Sequence, residues 1–194
     1  MPSPFDSANV FTDVVFEDLE LHDADVTGKE FERCIFRRCK LQESRWSQAR
    51  LEDCVFESCD LSRMVARSVG LFGVRFKDTR LSGVEWADLG LLPAVAFEDC
   101  DLRYASFVKV RLRDTQFVNC MAREANFVDV DLTKAIFTDS DLTGSTLRGC
   151  VLKDTDFTQA TGVFIDPQQN RVKGVRISLG AAVTLVSSFG IVVE

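Results

Sequence analysis

Residues 125–149 read ANFVDVDLTKAIFTDSDLTGSTLRG, and in this stretch a large apolar residue returns at every fifth position. Outward from it, the same spacing runs unbroken from Phe11 to Leu91, slips by one residue, and resumes from Phe97 to Phe157. We call these 30 positions the repeat centres, and 25 of them are Phe or Leu, where about five are expected by chance. The chain of 194 residues is therefore predicted to be built from a five-residue repeat.

A period of five fits neither standard secondary structure. Five helical residues turn through about 500° and would spread the apolar side chains around the helix, while a strand requires a period of two. A short extended segment followed by a corner, used four times, closes a square coil of about 20 residues, and such coils stack about 4.8 Å apart. The repeats then predict an all-β solenoid of about seven coils, roughly 35 Å long, with the centres in its core.

Several segments carry a resemblance to a known family: CIFRRCKLQES (34–44), CVFESCDLSRM (54–64), CDLRYASFVKV (100–110) and the stretch quoted above. They resemble the A(D/N)LXX pattern of pentapeptide-repeat proteins. The resemblance implies a right-handed quadrilateral β-helix over residues 1–160, with the one-residue register slip near residues 92–96. Residues 161–194 are then expected to hold a turn region, a capping or dimerisation helix and a short terminal strand.

All seven cysteines occupy one place in the repeat, two residues before a centre, where small residues predominate and the side chain is expected to point inward: Cys34, Cys39, Cys54, Cys59, Cys100, Cys120 and Cys150. A separation of one coil predicts three stacked pairs, 34 with 54, 39 with 59 and 100 with 120. A metal or redox site is one interpretation of such pairs. The favoured one is that each thiol fills the core as a small hydrophobe, because no C-x-x-C spacing or histidine accompanies it. No metal or cofactor is predicted.

Catalysis is not expected from the polar residues. The one histidine, His22, directly follows a centre and is expected to point to solvent. The adjacent acids Glu17–Asp18 and Glu98–Asp99 fall at outward corners of a convex rod, where no cleft is expected. We therefore predict that the protein is not an enzyme.

Charge and hydropathy exclude further classes of protein. The formal net charge is −7, which opposes direct binding of nucleic acid through its phosphates. No apolar stretch approaches the roughly 18 residues that a membrane span needs. The opening residues, MPSPFDSANVF, have neither the basic nor the apolar part of a secretion signal, so a cytoplasmic location is expected.

The outward charges are uneven among the four sides of the predicted coil. The side whose centres are Phe16, Phe36 and their successors carries the largest net negative charge, −4. Its eight acids form a candidate acidic face for binding a partner: Glu17, Asp18, Glu57, Asp78, Glu98, Asp99, Asp139 and Asp156. The alternative interpretation is a solvated surface that keeps the rod soluble.

The last part of the chain departs from the repeat. Ser178 is a candidate N-cap for an apolar helix that stops at Gly190, and residues 191–193 are predicted to form the terminal strand. A helix that is apolar on most sides can cap the rod or, the favoured interpretation, pair with a second copy. SLGAAVTLVSSFGIVVE also resembles the tail through which Qnr- and MfpA-type pentapeptide proteins dimerise. The predicted dimer residues are Leu179, Ala182, Val183, Leu185, Val186, Phe189, Ile191 and Val193.

The register slip lies in LGLLPAVAF, residues 89–97. Pro93 cannot donate a ladder hydrogen bond, so it predicts a bulge or small corner that absorbs the extra residue. A tolerated insertion is the favoured interpretation. The other is an exposed apolar patch of Phe72 and Leu92 that binds a partner.

An acidic rod with a dimerising tail and no predicted cleft is similar to the DNA-gyrase-protecting branch of the family. That resemblance implies a non-enzymatic homodimer that imitates duplex DNA, binds DNA gyrase or topoisomerase IV, and relieves poisoning by quinolones or other inhibitors. Gram-negative Qnr proteins carry two long loops that this chain lacks, so it looks more like the loopless members. The alternative is a pentapeptide-repeat scaffold for protein interactions with no role at a topoisomerase.

Overall fold

Parallel pairing between residues one coil apart organises the backbone. The computed structural model describes residues 3–90 and 93–193. Phe16 pairs with Phe36 in the regular coils, whereas across the slip Trp86 pairs with Phe107, a partner that lies one residue further along the chain. The extra residue therefore lies between Trp86 and Val95, and the predicted all-β solenoid is confirmed.

One side of the coil is a nine-stranded parallel sheet, which we call the long sheet. Its strands are Val15–Glu17, Ile35–Arg37, Val55–Glu57, Val74–Lys77, Val95–Glu98, Gln116–Val118, Ile136–Thr138, Asp156–Phe157 and Arg176–Ile177. In each strand the residue at the centre place, a phenylalanine or Ile177 in the last strand, turns inward, and its direct neighbours along the strand are more exposed, as the period of two in a strand requires.

Two shorter parallel sheets form parts of two other sides. The four-stranded sheet contains Val10–Thr12, Glu30–Glu32, Arg50–Glu52 and Gly70–Phe72. The five-stranded sheet contains Val65–Arg67, Glu85–Ala87, Ser106–Val108, Asn126–Val128 and Thr146–Arg148. The fourth side, which we call the bridge side, is held by isolated parallel bridges that run from Glu20↔Lys40 to Asp141↔Thr161.

The stack extends further than the repeat pattern predicts. Nine strands in the long sheet correspond to about eight coils rather than seven. Pairing continues past residue 160, because Val151 bridges Arg171 and Phe157 pairs with Ile177. Val172 and Ile177 lie one coil after Leu152 and Phe157, so β-branched residues take over the centre places in the last coil.

The repeat centres form the core. Of the 30 centres, 28 are buried; Leu21 is partly buried and Leu91 lies outside the described residues. The eight phenylalanines of the long sheet stack in one ladder, with centroid distances of 4.4–5.4 Å between neighbouring rings. Each buried ring contributes about 1.5–3 kcal/mol to stability, so this ladder is a main source of the free energy of folding.

The position two residues before each centre, where small residues predominate, has a second role besides filling space. All seven cysteines are buried there, and each thiol donates to the carbonyl of a centre in the preceding coil, as Cys150 Sγ does to Phe127 O over 3.2 Å. The hydroxyl of Ser140 makes the same contact with Phe117 O over 3.1 Å. A corner carbonyl is thereby satisfied, which explains why Cys, Ser and Thr recur beside Ala at this position.

Each end of the rod carries a different closing element. At the N-terminal end lies a 3₁₀-helix, Pro4–Ser7. Its Phe5 is fully buried and packs against Phe16, with the ring centroids 5.2 Å apart. At the other end the α-helix Leu179–Ser188 begins after Ser178, whose hydroxyl accepts from the N–H of Ala181 over 3.2 Å. No helix in the described part of the chain is long and apolar enough to cross a membrane.

The terminal strand predicted at residues 191–193 does not form. These residues are exposed and have no regular secondary structure. A strand exists only where it pairs with a neighbouring strand, and residues 191–193 pair with none in the described part of the chain.

Candidate partner-binding surfaces

The corners of the coil place acidic side chains at the surface. Among the described residues, those other than glycine that have a positive φ all lie two positions after a centre, and aspartate is the most frequent of them. Aspartate tolerates the left-handed conformation better than most residues, because its short polar side chain can hydrogen-bond locally. The corner geometry thus explains why acids recur in columns along the rod.

Five of the eight acids of the predicted acidic face are held in ion pairs. Glu17 binds both Arg37 and Arg38, at 3.5 and 3.0 Å, and Arg37 also reaches Glu57 at 3.0 Å. The remaining pairs are Asp18 with Arg38 at 2.8 Å, Glu98 with Lys77 at 3.2 Å and Asp156 with Arg176 at 2.7 Å. Hydrogen bonding from Arg38 lowers the pKa of Asp18, as expected for a carboxylate next to a cation. Much of the negative charge on this face is therefore neutralised by arginine and lysine side chains on the adjacent coils.

The other three acids, which we call the corner aspartates, are Asp78, Asp99 and Asp139. Asp78 accepts from the hydroxyl of Ser58 over 2.8 Å, and Asp99 accepts from the amide of Asn119 over 2.7 Å. Within the described residues no cation forms an ion pair with any of the three. Asp78 and Asp99 lie on adjacent coils about 4.8 Å apart, and Asp139 follows two coils after Asp99, with Asn119 between them. The three thus form one column of negative charge that has no ion-pair partner among the described residues.

A surface groove of about 1100 Å³ runs beside this column, between the long sheet and the bridge side. Its lining includes the corner aspartates, further acids and several cysteines: Asp78, Asp99, Asp139, Asp60, Asp101, Asp141, Cys39, Cys59, Cys100 and Cys120. The cations Arg38, Lys40, Arg80 and Arg103 also reach it, and His22 lies at its N-terminal end. The convex surface expected from the repeat is thus interrupted by a shallow channel that is lined by charged side chains and by cysteines.

Acids that directly precede a centre have a structural role. Asp131 accepts the N–H and the hydroxyl of Thr133 over 3.0 and 2.6 Å, and its second oxygen accepts from Arg113 over 2.6 Å. Asp141 repeats the arrangement with Thr143 and Arg123. Burial raises the pKa of Asp131, but these hydrogen bonds lower the pKa by more, so it lies below its ordinary value. The sequence signal is the tripeptide Asp-Leu-Thr, which sequence reasoning did not single out.

The predicted dimer residues divide into two sets. Ala182, Leu185 and Val186 are half-buried. The exposed set is Leu179, Val183, Phe189, Ile191 and Val193, with exposed fractions of 82, 37, 53, 55 and 50%. No residue of the helix is fully buried, so the apolar surface at this end of the rod is largely open.

The patch predicted at the register slip is only partly described. Phe72 is 38% exposed, and the guanidinium of Arg50 lies 5.3 Å from the centre of its ring. Gly70 leaves room for that ring, since a Cβ there would lie 3.1 Å from Phe72 Cε2. Leu92 lies outside the described residues. Pro93 is buried, and the neighbouring Ala94 N–H bonds to the carbonyl of Leu71 over 3.0 Å.

Comparison with known proteins relates this architecture to a family. Residues 29–94 and 91–162 match the family model described as Pentapeptide repeat region. No curated protein is similar enough in sequence to match the chain. A trypsin-treated form of QnrB1, described as a plasmid-mediated fluoroquinolone resistance protein, is similar in structure, with TM-score 0.78 and 19% identity over 96% of this chain and 99% of that one. Full-length QnrB1 gives TM-score 0.61 and 16% identity, over 94% and 100%. At these identities the likeness shows a shared fold.

Proposed function

Because the chain belongs to the pentapeptide repeat family, we propose that it is a non-enzymatic, cytoplasmic protein that imitates duplex DNA. In this proposal it binds a type II topoisomerase, DNA gyrase or topoisomerase IV. Binding protects the enzyme from quinolones or other poisons, either as antibiotic resistance or as self-immunity.

The observation that carries the proposal is the column of corner aspartates. A strand of duplex DNA presents one negative charge for about each 3.4 Å of axis, and the coils of this rod offer one corner for about each 4.8 Å. Asp78, Asp99 and Asp139 lie on such corners, and none of them forms an ion pair with another described residue. A basic DNA-binding groove would attract this edge electrostatically, and the attraction would weaken as salt is added.

The structural relatives support the same proposal. QnrB1 is described as a fluoroquinolone resistance protein, and its trypsin-treated form shares the fold over 99% of its length. We also propose that two copies of this chain pair through the exposed apolar residues of the C-terminal helix. A two-fold dimer of this kind would double the length of the rod.

The test is a DNA supercoiling assay with purified gyrase, a quinolone and increasing amounts of the protein. One variant combines Asp78→Asn, Asp99→Asn and Asp139→Asn, because asparagine keeps the corner conformation and removes only charge. The matched control combines Asp18→Asn, Glu57→Gln and Glu98→Gln, which changes net charge equally but at ion-paired sites.

We expect the wild type to restore supercoiling and the corner variant to need on the order of tenfold more protein, since lost rim charges mainly slow association. The control should stay within about threefold of the wild type. Equal losses in the two variants would exclude the corner aspartates as the binding surface. No effect of the wild type across several poisons would exclude the topoisomerase proposal itself.

The second candidate is an interaction scaffold with no role at a topoisomerase. It is favoured by an observation on the predicted acidic face, whose free negative charge is reduced by ion pairs of Glu17, Asp18, Glu57, Glu98 and Asp156. A negative supercoiling assay would leave this candidate in place, because the fold alone does not specify a partner.

A further inference from the structure

We propose that the groove gives access to two oxidation sites, Cys39 with Cys59 and Cys100 with Cys120, which form disulfides between adjacent coils. The oxidant is a small hydroperoxide or another two-electron thiol oxidant that enters from the groove. The Cys34 and Cys54 pair, stacked in the same way elsewhere in the core, stays reduced.

Stacking places the partners of each pair side by side. The N–H of Asp60 bonds to the carbonyl of Cys39 over 2.9 Å, and the N–H of Met121 bonds to the carbonyl of Cys100 over 2.9 Å. Neighbouring coils are about 4.8 Å apart, inside the range of about 4.4–6.8 Å between Cα atoms that a disulfide spans. The two thiols of each pair lie close enough to influence each other's pKa.

Access distinguishes these pairs from the third. All six cysteines are buried, but Cys39, Cys59, Cys100 and Cys120 are among the residues that line the groove. Cys34 and Cys54 contact each other in the same manner, and neither lines the groove. The chain thus contains its own control pair, with equal stacking and without access.

The pKa values of the thiols also differ between the groove pairs and the pair of Cys34 and Cys54. Interaction between the stacked thiols lowers the pKa of Cys39 and raises the pKa of Cys59, and in the second pair it lowers the pKa of Cys120 and raises the pKa of Cys100. Burial instead raises the pKa of both Cys34 and Cys54, the latter to about 11. Since the thiolate is the nucleophile, Cys39 and Cys120 are the thiols that would attack the oxidant first in their pairs.

The reaction balances as a two-electron oxidation. One thiolate attacks the hydroperoxide oxygen, which breaks the O–O bond and gives a sulfenic acid and an alcohol or water. The partner sulfur then displaces the sulfenic oxygen, which leaves as water, and the S–S bond forms. The pair loses two hydrogens in total. Cys39 and Cys59 then give up their hydrogen bonds to Phe16 O and Phe36 O, both 3.3 Å long, in exchange for a covalent link between coils.

The experiment treats the folded, full-length protein with hydrogen peroxide or with diamide, alkylates the remaining thiols after denaturation, and maps the products by peptide mass spectrometry. We expect links 39–59 and 100–120 to form at least about tenfold faster than 34–54, because oxidation of a closed core pair must wait for local opening. Cys59→Ser and Cys120→Ser should each abolish one link, and the control Cys54→Ser should leave both.

Serine is a suitable replacement, because Ser140 already occupies the same place in this column and donates to the equivalent carbonyl. Circular dichroism of each variant verifies the fold before oxidation. Equal rates for the 34–54 link would overturn the role of the groove. Absence of both groove links in the folded protein, with full alkylation after denaturation, would overturn the proposal as a whole.

Discussion

The indole N–H of Trp46 donates a hydrogen bond to the hydroxyl of Ser44 over 2.7 Å, whereas Trp86, two coils further along the same side, has Val84 in place of that serine. Both tryptophans are 1% exposed. The indole nitrogen of Trp86 is buried and finds no acceptor among the described residues. One of two equivalent core positions therefore carries an unsatisfied donor, which costs about 1–3 kcal/mol.

This difference predicts the outcome of two matched substitutions. Trp46→Phe and Trp86→Phe remove the same volume from the same kind of site, but only the first breaks a hydrogen bond. We expect Trp86→Phe to lower the free energy of unfolding less than Trp46→Phe, by about 1–3 kcal/mol. Urea unfolding followed by circular dichroism measures both values. Equal losses would show that the Trp86 donor is satisfied in solution.

A second prediction concerns the aspartate that precedes a centre. Asp131→Ala removes the acceptor of three hydrogen bonds, from Thr133 and Arg113, and should lower the free energy of unfolding by about 1–3 kcal/mol. Asp131→Asn keeps one acceptor oxygen and should cost less. The exposed corner substitution Asp139→Asn is the control and should change stability by less than about 0.5 kcal/mol. A cost for Asp139→Asn as large as that for Asp131→Ala would contradict the distinction between structural and corner acids.

Acid should destabilise the rod in a defined pH range. For Asp60, Asp101, Asp131, Asp141 and Asp156, burial raises the pKa, but hydrogen bonds lower the pKa by more, so each lies below its ordinary value in the folded protein. A lowered folded pKa means that the unfolded chain binds protons first as the pH falls. The stabilisation is complete above about pH 5 and is lost below about pH 4.

The measurement is the free energy of unfolding in urea from pH 7 down to pH 3. We expect a plateau followed by a fall, and a shallower fall for Asp131→Asn because one of the titrating groups is absent. A free energy of unfolding that stays constant or rises below pH 4 would refute the assignment.

A dimer through the C-terminal helix predicts sensitivity to charge at its exposed apolar residues. Val183→Asp with Phe189→Asp should weaken self-association about a thousandfold or more, since central apolar interface residues each contribute about 2 kcal/mol or more and 1.4 kcal/mol is a tenfold change. Val10→Asp, at an exposed valine near the opposite end, serves as the control and should not alter the association. Sedimentation equilibrium distinguishes the two cases. A wild type that stays monomeric at all concentrations would contradict the dimer.

The core could be predicted from the sequence because its signal is strictly local. Every fifth residue reaches the interior of a four-sided coil. This geometry explains both the period of five and the burial of Phe117, Phe127 and Phe137. The last coil escaped prediction because Val172 and Ile177 replace Leu and Phe, and Pro167 interrupts the pattern between Leu152 and these residues.

The candidate surface was harder to predict, because its chemistry depends on pairs that are distant in the chain. Opposite charges one coil apart in the sequence, such as Asp18 with Arg38, lie in contact on neighbouring coils, so summing charge by face overstates the free charge. The same comparison between successive coils, applied to the sequence, could have identified the pairs. The groove could not be predicted in this way, because its shape depends on how far the corner side chains project from the sides of the coil.

The register slip limits how coils can be added to the rod or removed from it. The thiol of Cys100 reaches the carbonyl of Phe76, 24 residues back, while every other cysteine reaches back 23. Deletion or duplication of one regular coil on either side of the slip keeps all four sides of the rod aligned. A deletion that includes the slip must remove one residue more than a regular coil contains. Insertions and deletions can therefore change the length of the rod only in steps of whole coils, and the coil that contains the slip is longer by one residue.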